Sequence, residues 1–119
     1  MASIKQSLED LMVADGALCA CLVDSSSGMI LGQIGSGVDL EVAAAGNTEV
    51  VRAKLKTMRA LGLNDVIEDI LITLGKQYHI IRPMGRKEGL FIYLVLDKAK
   101  SNLAMARRKV QDIERELIV

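Results

Sequence analysis

Residues 40–61 read LEVAAAGNTEVVRAKLKTMRAL, and this stretch decides the fold. Asp39 precedes it as an N-cap candidate and Gly62 follows it as a stop signal, so the pattern predicts one long helix from Leu40 to Leu61. On a wheel at ~100° per residue the apolar and small side chains cover roughly 220°, leaving a polar arc of Glu41, Thr48, Glu49, Arg52, Lys56 and Arg59. One sheet cannot cover so wide an arc. The larger Leu40, Val51, Leu55 and Met58 gather on one side and are expected to face the sheet. The smaller Val42, Ala43, Gly46, Val50, Ala53, Thr57 and Ala60 gather on the other. That second side is an exposed apolar strip of the kind that marks a protein interface, and its small residues would let a second helix approach closely. A bland alternative is that the neighbouring connector covers the strip within one molecule; self-association is the preferred reading. Asn47 and Lys54 fall near the boundary of the two halves, where they either fix the register of pairing or reach out to water.

On the N-terminal side, Ile4, Leu8, Leu11 and Met12 recur at helical spacing, which predicts a short one-faced helix over Ser3 to Met12. Ala17 to Val23 is an almost unbroken apolar strand, Asp24 to Gly28 a turn, and Met29 to Ile34 its hairpin partner. Gly35, Ser36 and Gly37 form a connector into the long helix. On the C-terminal side two strands are expected, Val66 to Leu74 and Gln77 to Pro83, joined by a tight turn at Gly75 and Lys76. The run Leu90 to Leu96 is continuously apolar, which suits a central strand buried on both faces. Asp97 is then the N-cap candidate for a last helix carrying Leu103, Ala106, Val110, Ile113 and Leu117 as a narrow stripe. The order α-β-β-α-β-β-β-α, with hairpin links, predicts an α+β fold: a five-stranded, mostly antiparallel sheet between helices.

The totals narrow the function. A chain of 119 residues that is 50% apolar is expected to form one domain over residues 1–119, with a core that needs neither disulfide nor metal. Lys plus Arg and Asp plus Glu each total 15, so no net field is available to hold a phosphate backbone, and nucleic acid is not an expected partner. Cys19 and Cys21 sit two apart on a predicted strand, without the geometry a disulfide prefers, and read as reduced thiols. No secretory signal opens the sequence and no apolar run approaches the ~18 residues of a membrane span. A cytoplasmic location without membrane insertion is the expectation.

Ala43 to Val51 within the long helix resembles the roadblock/LC7 family, as do the Glu68 to Leu74 strand leading to Tyr78, His79, Ile80 and Ile81, the run Leu90 to Asp97, and the closing Asn102 to Arg107. The resemblance spans nearly the whole chain and rests on order and length together, nearest to the short bacterial type. It implies a profilin-like domain with two helices on one sheet face and the long helix on the other. It also implies homodimers formed through that helix and the third strand, which adds Ile70 and Ile72 to the interface candidates Val42, Ala43, Gly46, Asn47, Val50, Ala53, Lys54 and Thr57. Family members associate with small Ras-like GTPases as activators or scaffolds, or with dynein motors. The resemblance therefore implies a non-catalytic homodimeric adaptor or regulator of a Ras-like GTPase.

Catalytic signatures do not compete. The glycines at 28, 32, 35 and 37 lack the Lys-Ser/Thr sequel of a phosphate loop and the order of a dinucleotide turn, so no nucleotide cofactor is expected. A nucleophile or metal site would have to combine His79 with Cys19 or Cys21, and a fourth ligand at zinc spacing is not evident. Arg86 and Lys87 before the last strand, beside Glu88, or Arg107 and Arg108 in the last helix, are candidates for an arginine offered to a GTPase, though a solvated charged surface accounts for them as well. The other functional class to weigh is a small-ligand sensory module, since related folds hold ligands against the sheet. Its aromatic walls would be limited to Tyr78, Phe91 and Tyr93.

Overall fold

The computed structural model describes residues 2–85 and 89–118. Its elements are α1 (Ile4–Leu11), β1 (Ala17–Asp24), β2 (Met29–Gly35), α2 (Leu40–Ala60), β3 (Ile70–Thr73), β4 (Gln77–Pro83), β5 (Leu90–Asp97) and α3 (Leu103–Glu116). The strands form one sheet in the order β2-β1-β5-β4-β3, with every neighbouring pair antiparallel. The continuous apolar runs take the inner places: β1 and β5 are buried on both faces, whereas β2 alternates as an edge strand does.

Each sheet face has its own core. Ala20, Leu22, Ile80, Ile92, Leu94 and Leu96 point to the face covered by α1 and α3, where Leu8, Leu11, Ala106, Val110 and Ile113 meet them. Cys19, Cys21, Val23, Ile81, Phe91, Tyr93 and Val95 point to the other face, under Leu40, Ala44 and Val51 of α2. Arg82 of β4 donates to Glu114 of α3 at 3.2 Å and ties that helix to the sheet.

Caps set the helix limits. The Asp39 carboxylate accepts from the N–H groups of Glu41 and Val42, and Gly62, at φ 70°, closes α2: its N–H bonds Arg59 O and that of Leu63 bonds Met58 O.

Three local expectations need correction. The third strand was expected from Val66 but pairs only over Ile70–Thr73. Carried further, its register with β4 would set Glu68 opposite Pro83, which has no N–H to give the ladder. The last helix is capped by Asn102, whose Oδ1 accepts from Met105 N, and not by Asp97. Asp97 is held in the sheet, its N–H bonding Gly16 O while its carboxylate accepts from Ala99 N. Thr48, assigned to the polar arc, is buried beneath α2, since its hydroxyl is satisfied by Ala44 O at 2.7 Å and its methyl can then face the core.

Candidate self-association face

α2 lies chiefly over β1 and β2. Its buried stripe is narrow: Leu40, Ala44, Thr48, Val51 and Met58. Leu55, expected against the sheet, is 38% exposed and overlooks an open cleft of about 300 Å³ with Val66, Ile67 and Phe91. On the flank toward the β1–β2 turn, Arg52 donates to the carbonyls of Ser25 and Ser26 at 2.6 and 2.8 Å, anchoring the helix there. At ~100° per residue the opposite flank, which looks across the sheet toward β5, β4 and β3, carries Ala43, Asn47, Val50, Lys54 and Thr57. A groove results, with this flank as its wall and half-buried Ile70, Ile72 and His79 on its floor.

The ten interface candidates divide accordingly. Ala43, Ile70 and Ile72 are half-buried and pack against the core beneath α2. Lys54 and Ile70 line the same open cleft, of about 610 Å³. Val50 stands 37% exposed above the groove, and Thr57 is exposed with its hydroxyl turned back to Ala53 O. Gly46 is exposed, and a Cβ there would meet nothing within 4 Å, so the backbone is open to a close neighbour. Val42, 69% exposed, and Ala53 turn to the outermost side of the helix, away from the groove.

Asn47 is half-buried on α2, and its amide comes close enough to the Tyr93 hydroxyl on β5 to favour that group's charged form. The same hydroxyl lies 2.9 Å from His79 Nδ1, and His79 Nε2 lies 2.8 Å from Gln77 Oε1. These two bonds assign the His79 proton to Nε2, with Nδ1 accepting from the Tyr93 hydroxyl. Burial pushes Tyr93 up to about 12 and holds His79 below its ordinary value. Reading the sequence for catalysis overlooked this network. The signal was available: His79 is the cross-strand partner of Ile72, so it shares the face on which Ile72 was already placed.

No reactive constellation accompanies it. Cys19 and Cys21 are fully buried free thiols, and burial pushes Cys21 up to about 12, far from thiolate chemistry. Among the described residues no three His, Cys, Asp or Glu side chains are gathered to hold a metal ion, and no helix is long and apolar enough to cross a membrane. Arg107 is engaged by both Asp69 carboxylate oxygens at 2.8 and 2.7 Å, and Arg108 approaches Asp112 at 3.6 Å. Arg86, Lys87 and Glu88 lie outside the described residues.

No protein-family model and no curated protein matches the sequence. Solved structures do match the fold. A roadblock/LC7 domain from Streptomyces avermitilis superposes with a TM-score of 0.83 at 11% identity, over 97% of this chain and 94% of that one. Myxococcus xanthus MglB superposes with a TM-score of 0.82 at 17% identity, over 95% of this chain and 89% of that one. A structure of MglB with tetrameric arrangement matches with the same TM-score of 0.82 and 17% identity, over 95% and 83%. The fold is therefore that of roadblock/LC7 domains.

Proposed function

We propose that this chain, built on the roadblock/LC7 fold, is a single-domain homodimeric adaptor or regulator of a small Ras-like GTPase that works by surface contact and not by catalysis. One observation supports the self-association: beside a flank of small residues on the long helix, Ile70, Ile72 and His79 stay only half-buried, next to an edge strand whose outer side has no partner among the described residues. A second copy fits this opening because the same surface supplies both a shallow groove and a helix able to enter it, as a two-fold contact demands. The solved MglB assembly described as tetrameric agrees with oligomers built on this fold. The GTPase rests on the sequence resemblance. If GTP hydrolysis is stimulated, ordering the partner's own switch residues is the route that contact area can supply without an arginine from this chain.

Light scattering after gel filtration tests the first claim: the wild type should elute with the mass of a dimer, and Val50→Glu or Gly46→Arg as a folded monomer. A wild-type monomer at tens of micromolar protein, or variants that keep the dimer mass, would contradict it. Pull-down with the wild-type chain, with GTP or GDP present, should recover a Ras-like GTPase in one nucleotide state in preference to the other; recovery of none would leave an interaction module of another kind.

A further inference from the structure

Beside the α2 flank, Gln77, His79 and Tyr93 are bonded in series from β4 to β5, with the Asn47 amide of α2 close to the Tyr93 hydroxyl. We propose that this chain of side chains makes self-association pH-dependent, neutral His79 permitting the second copy to close over the groove and protonated His79 opposing it. The inference rests on the dimer proposed above.

Protonation places a hydrogen on both ring nitrogens. Nε2 keeps its acceptor, Gln77 Oε1. Nδ1 then confronts the Tyr93 hydroxyl, which must stop donating and accept instead. The displaced hydroxyl proton then needs a new acceptor, either water while the surface is open or the Asn47 amide oxygen once that side chain turns. Once a second copy covers the surface, water is excluded and the imidazolium is left among neutral groups. Among the described residues, the elements around the ring supply no compensating anion: Cys19 and Cys21 on β1 are protonated thiols, β3 presents Ile72, α2 presents Asn47 and, farther along, Lys54, and β5 presents Tyr93. Lys54 carries the same sign as the imidazolium. Burial already disfavours the charged ring in the isolated chain, and covering the groove adds to that penalty.

The sign follows. A ring whose pKa falls further on association releases its proton to solvent as the dimer forms, so association is strongest above the pKa of the monomer and weakens as pH falls through it. With one histidine per chain, a one-unit lowering in each protomer corresponds to about a 100-fold weaker dimer below both values.

Because His79 is the only histidine, its ring protons report its titration without ambiguity in a proton NMR spectrum. The wild-type dimer should show a lower His79 pKa than the Val50→Glu monomer, and sedimentation equilibrium should find Kd rising several-fold from pH 7.5 to 5.5. His79→Gln, which keeps a neutral donor and acceptor, should dimerise at pH 7.5 with a Kd that stays flat over that interval. Equal His79 pKa values in dimer and monomer, a flat wild-type Kd, or the same rise in His79→Gln would each overturn the switch while leaving the dimer standing. A wild type that is monomeric at both pH values would instead overturn the dimer, and the switch with it. Circular dichroism of Val50→Glu at pH 5.5 should remain native, and loss of its fold there would assign the pH response to unfolding and reject the proposal.

Discussion

Gly35 ends β2 at φ 80°, and a Cβ there would overlap the Leu18 carbonyl oxygen and press on the Cys19 Cα. The connector into α2 leaves the sheet at this point, with Ser36 N bonding Leu18 O. Gly35→Ala combines a left-handed backbone with a clash against main chain, and is expected to lower stability by about 1–3 kcal/mol, read as a shifted urea midpoint at unchanged slope. An unchanged midpoint would contradict the packing described. The thiols give a second test at this scale. With Cys19 and Cys21 fully buried and their thiol forms favoured, the folded protein should fail to react with a thiol reagent at pH 8 and should yield two equivalents only on denaturation. Rapid labelling of the native protein would revive a redox role for β1.

At the scale of elements, capping separates two readings of where α3 begins. Asn102→Ala removes the acceptor of Met105 N and should cost about 1 kcal/mol, measured by thermal or urea unfolding, whereas no first-turn amide of α3 depends on Asp97. Most of this level was legible in the sequence, because α2 announces its ends with Asp39 and Gly62, and β1 and β5 announce their central places by unbroken apolar runs. What escaped depends on pairing register, which no single segment carries. The late start of β3 follows from Pro83 on the opposite strand, and the buried side of Thr48 from where α2 rests on β1 and β2. The Asn47–Tyr93–His79 network follows from three elements meeting at one point. The sequence placed ten residues on one interface. The structure sets Ala43, Asn47, Val50, Lys54 and Thr57 beside the groove, Ile70 and Ile72 on its floor, leaves Gly46 exposed with open space at its Cα, and turns Val42 and Ala53 outward.

For the whole molecule, the two sheet faces are unequal. One is closed by α1 and α3, with Ala2 and Leu117 bridged beside them. The other is buried through β1 and β5 but leaves Ile70, Ile72 and His79 half-buried toward the edge strand β3. A groove of this kind, apolar on its floor and flanked by Gly46 and Val50, suits occupation by a second copy, and the whole functional account depends on that occupation. Hydrogen exchange followed by mass spectrometry at low and high protein concentration tests it most directly, because it reports both whether association occurs and where. The account predicts added protection, growing with concentration, in α2 from Ala43 to Thr57 and in β3 from Ile70 to Thr73. Protection that ignores concentration, or that grows instead along β2 or the α1–α3 face, would contradict it.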